Sequence, residues 1–343
     1  MSKPRSLFGN ASVLFKRLSI KRLLNIMKVV ASYYVSKISG RAIHWGMPIS
    51  ISIEPTTSCN LRCPECPSGL RSFTRNTGML DPGLFSKTLS ELSDELIYLT
   101  FYFQGEPYLN PRFLEMVQEA GKKNVFTSTS TNAHYLNDTN AKATVLSGLD
   151  RLIISLDGTT QETYESYRIG GDLNKVIEGT KNMIRWKKEL GSKTPLLVFQ
   201  FLVVRPNEHQ IEDVKKLAME LGVDEVRLKT AQIYEYENGS PLIPENNTYS
   251  RYKQLKDGSW KIKNKLENHC WKLWQSPVIT WDGLVVPCCF DKDAKHRMGD
   301  LKETTFRDLW HGAVYNQFRS SVLRSRKEID ICKNCSEGTK VWA

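Results

Sequence analysis

From Ile51 to Lys229 the chain alternates strand-like and helix-like stretches, and this alternation restricts the fold more than any other feature. Apolar, β-branched or aromatic runs predict strands at Ile51–Glu54, Ile97–Phe103, Val125–Thr129, Leu152–Leu156, Leu196–Val203 and Glu225–Lys229. Helical patterns fill the intervals, over Pro82–Ser93, Pro111–Lys123, Asn137–Ser147, Leu173–Leu190 and Gln210–Leu221. Strands separated by helices build βαβ units and a parallel sheet. Eight such units close a full barrel. Six predict an α/β fold of the partial, TIM-like (β/α)6 kind over residues 46–232.

The flanks depart from this pattern. Residues 1–45 read as a basic extension with an amphipathic helix expected from Ala11 to Gly40. Arg17, Lys21, Asn25, Lys28, Ser32 and Ser36 recur at spacings of three and four and form a polar stripe. Ile20, Leu23, Leu24, Met27, Val30, Ala31, Tyr34 and Ile38 lie opposite. Two readings follow: a helix docked on the protein's own core or on a second subunit, or a helix lying on an anionic membrane. At such a surface each Lys or Arg is worth about 1 kcal/mol.

Residues 1–53 hold nine Lys or Arg and no Asp or Glu, out of a net charge of +11 for all 343 residues. The rest of the chain is nearly balanced, which argues against a nucleic-acid partner. Residues 233–264 are polar, with Pro241 and Pro244, and read as a linker. Residues 265–343 hold five of the eight cysteines and five of the eight tryptophans, and predict a small, separate, metal-stapled domain.

The cysteines are clustered, and no cleavable signal precedes them, so a reducing compartment and metal chemistry are expected rather than disulfides. No apolar run is long enough to span a bilayer. The expected location is cytoplasmic, at the inner face of the membrane if the N-terminal helix binds lipid.

The first expected strand runs into "TTSCNLRCPECPSG", where Cys59, Cys63 and Cys66 are spaced C-x3-C-x2-C. Loops at the carboxyl ends of parallel strands are where α/β sites are built. Three soft thiolates suit iron–sulfur or zinc chemistry, and three protein ligands leave a metal position open, a catalytic feature.

This loop, placed after the first strand of a six-unit α/β chain, resembles the radical S-adenosylmethionine (SAM) superfamily. The resemblance implies a [4Fe–4S] cluster on Cys59, Cys63 and Cys66, with SAM on the fourth iron. It implies reductive cleavage of SAM to a 5′-deoxyadenosyl radical that takes hydrogen from a substrate, with flavodoxin or ferredoxin as a reductant. The hard chemistry belongs to the cofactors.

Other segments resemble the same family. "FQGEP" after the second strand brings Gly105 and Glu106, which the resemblance places at the methionine amino group; Gln104 replaces a family glycine. "STSTNA" brings Ser130, Thr131 and Asn132 toward the ribose, and "ISLDG" brings Ser155, with Asp157 in the same segment. Arg168 in "YESYR" resembles the arginine near the methionine carboxylate. Glu65 stands where an aromatic residue is common, so adenine packing is expected from Phe101 or Phe103 instead.

Cys270, Gly283, Cys288 and the pair Cys332 and Cys335 resemble the start of a SPASM domain, and "MGDLKETTFRDLWHG" resembles its glycine turn and Leu-Trp helix. Four ligands, Cys270, Cys288, Cys332 and Cys335, suffice for one auxiliary [4Fe–4S] cluster, as in the shortened twitch form. A four-cysteine zinc site would read much the same. Cys289 is spare, since neighbours on a strand face opposite sides.

The family serves peptide modification and the oxidation of alcohols or sugars. Peptide maturases often carry a leader-binding domain, which 45 basic helical residues do not resemble. The expected substrate is therefore a sugar, an alcohol or a lipid-linked small molecule, with a peptide as the alternative. A non-catalytic iron–sulfur carrier is the reading of another class; it leaves Glu106, Asn132 and Ser155 without a role. No residue is singled out as the catalytic acid or base.

Overall fold

The structure, a computed structural model, describes residue 15 and residues 17–338. The expected beginning of the N-terminal helix at Ala11 lies outside the described residues.

Six parallel strands carry the fold: β1 Ser50–Ile53, β2 Tyr98–Thr100, β3 Phe126–Thr131, β4 Arg151–Ser155, β5 Leu196–Val203 and β6 Glu225–Thr230. They pair in sequence order and do not close, which makes the expected partial barrel. β4 is buried along its whole length, as a strand covered on both faces must be. β6 is the free edge, and its Glu225, Arg227 and Lys229 are charges of the kind that discourage further pairing. Helices Pro82–Leu92, Phe113–Lys122, Asp138–Leu146, Leu173–Glu189 and Ile211–Leu221 lie between the strands. Most begin with a side-chain cap, such as Asp81 on the Leu84 N–H and Asn137 on the Asn140 N–H.

The C-terminal part is not separate. Its strands Val278–Ile279 (β9), Leu284–Val286 (β10) and Gly299–Asp300 (β11) extend the barrel sheet, in the order β11-β10-β9-β1-β2. β9 runs parallel to β1 with Ser52 opposite Val278. Trp274, Trp310 and Tyr315 belong to the same apolar core as Leu99, Phe101 and Ile154. This pairing gives β1 a neighbour where it would otherwise be an unpaired edge beside the cysteine loop. A buried ion pair of the barrel is tied to this part: Arg75 binds Glu54 through two bonds of 2.6 and 2.8 Å, Glu54 also accepts from the Trp281 N–H, and Arg75 donates to the Lys292 carbonyl. Within 233–264, read as a linker, Tyr252–Gln254 (β7) and Trp260–Ile262 (β8) form a hairpin.

The N-terminal helix, α1, runs over Ile20–Ser39 and stops at Gly40 in the left-handed conformation. Its orientation is the reverse of a helix docked by its apolar side. Arg22, Asn25, Val29, Ser32, Tyr33 and Ser36 face inward. Each polar group among them is satisfied. Asn25 exchanges two bonds with the Met47 backbone (2.7 and 2.9 Å), and Ser36 does the same with Ile43 (2.8 and 2.9 Å). The Arg22 guanidinium donates to the carbonyls of Ser93, Lys123 and Asn124, at helix C-termini where a cation is favoured. Tyr33 reaches His269 at 2.9 Å. A Cβ on Gly46 would lie 2.5 Å from Val29, so only glycine lets the helix approach this closely.

Candidate active site

The loop after β1 folds back on itself to present the three thiols. Cys63 is buried and Cys59 and Cys66 are half-buried, all unpaired. The Cys66 N–H donates to the Cys63 carbonyl, and Cys66 then starts the short helix Pro67–Leu70. Gly105 packs on this loop with φ of 74°; a Cβ there would lie 2.2 Å from the Thr56 carbonyl oxygen. Its N–H is bound by the Ser68 hydroxyl at 2.9 Å.

One cavity is lined by the three cysteines together with Gly105, Glu106, Ser130, Asn132, Ser155 and Arg168, so the six polar and glycine positions expected around SAM converge on the cysteine loop. Glu106 is almost wholly buried. It accepts from Thr131 Oγ1 (2.7 Å), the Asn132 N–H (2.8 Å) and the Tyr108 N–H (3.3 Å). Burial still outweighs these donors and pushes its carboxyl up to about 7. Three donors leave room for one more at a carboxylate. Ser130 and Ser155 hydroxyls lie 3.4 Å apart. Asn132 binds Asn60 at 2.7 Å and reaches Cys59 Sγ at 3.9 Å.

Arg168 donates from Nε to Asp157 (2.5 Å) and reaches Cys63 Sγ at 3.7 Å. Burial disfavours its charge, but Asp157 and Cys63 outweigh burial and hold the guanidinium protonated. Asp157 is fully buried and also accepts from the Leu202 N–H, so it aims Arg168 from β5. Sequence reading placed Asp157 in the segment but gave it no such task.

Glu65, the residue out of pattern, turns outward and accepts from the Tyr234 N–H at 2.9 Å, which ties the cysteine loop to the chain after β6. Gln104 points at Cys66, its Oε1 3.8 Å from Sγ. Of the two aromatics expected near adenine, Phe101 is buried against Phe85 and Phe113 in the core, whereas Phe103 lines the cavity.

A second thiol group lies in the C-terminal part. Burial, then the neighbouring Cys289, Cys270 and Cys335, push the Cys288 thiol far up. Cys332 is raised to about 12 by burial, with Cys270 and Cys335 adding to it. Cys289 faces Lys272 and Glu337 and packs with Phe103, although Cys335 also feels it. Arg326 is fully buried beside these thiols and donates to Cys335 Sγ at 3.2 Å. No sequence spacing points to it.

Both thiol groups offer soft ligands that suit iron–sulfur or zinc chemistry. A single zinc draws its ligands to about 2.0–2.3 Å from one centre; a four-iron cluster spreads thiolates over separate irons. The barrel cavity also offers a carboxylate and a guanidinium, which match the amino and carboxylate ends of a methionine.

A groove of about 520 Å³ adjoins this cavity. The helix Pro67–Leu70 divides them: Ser68 and Gly69 line the cavity, Pro67 and Leu70 the groove. Its other walls are Phe73, Tyr234, Tyr236 and Phe290, with Asp and Lys side chains of the C-terminal part.

Comparison with known proteins agrees with this geometry. A family model of the Radical SAM superfamily matches residues 53–224, and the SPASM iron–sulfur cluster-binding domain matches residues 270–336. The chain is 28% identical over 313 residues to a tungsten-containing aldehyde ferredoxin oxidoreductase cofactor-modifying protein of Pyrococcus furiosus, covering 83% of this chain and 86% of that one. It is 22% identical over 314 residues to the PqqA peptide cyclase of Gluconobacter oxydans, covering 86% and 84%. The solved structure of Streptococcus suis SuiB bound to its precursor peptide SuiA superposes with a TM-score of 0.63 at 15% identity, covering 92% of this chain and 76% of that one. The cavity at the carboxyl ends of β1–β4 and the matched segments lead to one conclusion: this chain belongs to the radical SAM superfamily, an enzyme that uses SAM and a [4Fe–4S] cluster and carries a SPASM iron–sulfur domain.

Proposed function

We propose that the enzyme modifies a peptide. The observation that carries this reading is the groove beside the catalytic cavity, walled by aromatic rings and charges of both signs. An extended chain needs such a surface to lie on, and its side chain can then reach round the Pro67–Leu70 helix to the reacting centre. The named relatives support it: one is a peptide cyclase, and SuiB is seen with a precursor peptide. The sugar, alcohol or lipid-linked substrate expected from sequence gives way, because it rested on how residues 1–45 read: a basic helix unlike a leader-binding domain and suited to lipid. A chain that aligns with 84% of a peptide cyclase's length leaves that ground weak.

Within the cavity, Cys59, Cys63 and Cys66 hold the cluster. Glu106 accepts from the SAM amino group, and Arg168, aimed by Asp157, binds the carboxylate. Ser130, Asn132 and Ser155 serve the ribose, with Phe103 as the aromatic surface near adenine. Gly105 contributes by shape, since its N–H is held by Ser68. When bound, the cluster and SAM supply the electron and the radical for hydrogen abstraction. Cys270, Cys288, Cys332 and Cys335 ligate the auxiliary cluster, and a flavodoxin or ferredoxin supplies electrons.

Hydrogen abstraction moves a substrate hydrogen into 5′-deoxyadenosine, which gives a test. Extract from bacteria grown in deuterated medium is offered to the reconstituted enzyme, with and without prior protease digestion to single amino acids. Deuterated 5′-deoxyadenosine that disappears after digestion supports a peptide. Deuterium transfer from the small-molecule fraction, unaffected by protease, overturns it.

A further inference from the structure

The outward face of α1 is apolar. Ile20 is 80% exposed, Leu23 50%, Leu24 51%, Met27 59% and Ile38 85%, and Tyr34 joins them. At 3.6 residues per turn these side chains fall within an arc of about 120°. Lys21 and Lys28 border the arc on one side and Lys37 on the other. No helix among the described residues is long and apolar enough to cross a membrane, so α1 does not span one.

This exposure is built in. Arg22 bonds to the Ser93, Lys123 and Asn124 carbonyls and Asn25 to the Met47 backbone, and rolling the helix to hide its leucines would break all of these bonds. The body thus holds about 30 Å of apolar stripe outward.

We propose that α1 lies in the headgroup plane of an anionic bilayer and holds the enzyme on it. Charge selects this occupant. The first 53 residues carry nine cations and no anion; of the six described, Arg17 and Arg22 turn to the body and Lys21 pairs with Asp94, which leaves Lys28, Lys37 and Arg41 to meet acidic phospholipid. A second copy of the chain would meet the same stripe across a two-fold axis and set lysines against lysines.

The face also has a direction. Arg22 and Arg17 bind Ser93, Lys123, Asn124 and Asp150, all just before β2, β3 or β4. α1 therefore underlies the amino ends of the strands, and the catalytic cavity opens at their carboxyl ends. Docked, the enzyme turns its mouth to the water, where a soluble peptide arrives.

The test uses the full-length reconstituted enzyme in vesicle flotation. It should float with vesicles of phosphatidylcholine and phosphatidylglycerol at seven to three, and weakly with phosphatidylcholine alone. K28E/K37E should partition about 30-fold less, or more, which corresponds to roughly 1 kcal/mol for each lysine lost. M27E/I38E should remain in solution. Both variants should keep wild-type iron content and basal SAM cleavage, since neither site touches the cavity. Equal partition of wild type and both variants overturns the proposal. So does a dimer in sedimentation that M27E/I38E dissolves without any change in vesicle binding. None of these readouts depends on the substrate, so the peptide reading stands or falls separately.

Discussion

Glu106 makes SAM binding a function of pH. Burial raises its carboxyl from 4.5 to about 7 in the absence of ligand. A group whose folded pKa is raised contributes stability below its unfolded pKa and loses it as pH rises through the folded value. The shift of 2.5 units costs about 3 kcal/mol once the pH is above 7. The ligand-free protein should therefore lose stability between pH 5 and 8. Glu106→Gln removes that slope and forfeits about 1 kcal/mol for the poorer match to its three donors. The variant should be less stable than wild type at pH 5 and more stable, by about 2 kcal/mol, at pH 8. For SAM the order reverses. Only the carboxylate form binds the amino group well, and its population rises about tenfold from pH 6 to pH 8 around a pKa of 7. Equilibrium dialysis of cluster-loaded wild type should follow that tenfold rise. Glu106→Gln should be flat with pH and roughly 10- to 100-fold weaker at pH 8. Wild-type affinity that does not change between pH 6 and 8 would refute the assignment of Glu106.

Arg326→Met should lower the auxiliary cluster's reduction potential by about 60–130 mV, the equivalent of one charge-assisted hydrogen bond; an unchanged redox titration would remove Arg326 from that site. Arg75→Met strands the buried Glu54 carboxylate and should cost about 3–5 kcal/mol, most of it recovered in the Glu54→Gln/Arg75→Met double variant; thermal unfolding of the three proteins checks this. Anaerobic reconstitution should load about eight irons, and Cys59→Ala/Cys63→Ala/Cys66→Ala should keep about four and lose all SAM cleavage. About four irons with one zinc in the wild type would overturn the auxiliary cluster.

Much of the barrel was legible because its signals are local. The strand read at Leu196–Val203 forms over those residues, and the five barrel helices start and stop within two residues of their expected bounds. The site was legible for the same reason: each functional side chain follows a strand directly, so placing the strand places the residue. What stayed hidden depends on distant pairings. Nothing in "SPVITW" announces that β9 will pair with β1, more than two hundred residues earlier. Arg326 has no spacing to the cysteines it serves. The roll of α1 was hidden because hydropathy treats Asn25, Ser32 and Ser36 as a solvent face. The bonds of Asn25 to Met47 and of Arg22 to three carbonyls outweigh the apolar side in choosing which face turns in, while Ser32 answers its own helix at Val29.

The pairing of β9 with β1 has a consequence for how such enzymes are taken apart and rebuilt. Ser52 meets Val278 and Ile53 meets Ile279, and the Glu54 N–H closes the ladder on the Ile279 carbonyl. The strand that delivers the three-cysteine loop is thus clamped along its flank by the part that carries the other thiols. A cut after residue 264 would not release two working halves; it would strip one side of β1 and leave Glu54 and Arg75 half open. Grafting a foreign C-terminal part onto this barrel would have to reproduce the β9 register residue for residue. The two iron–sulfur sites are inherited together, as a single piece of sheet.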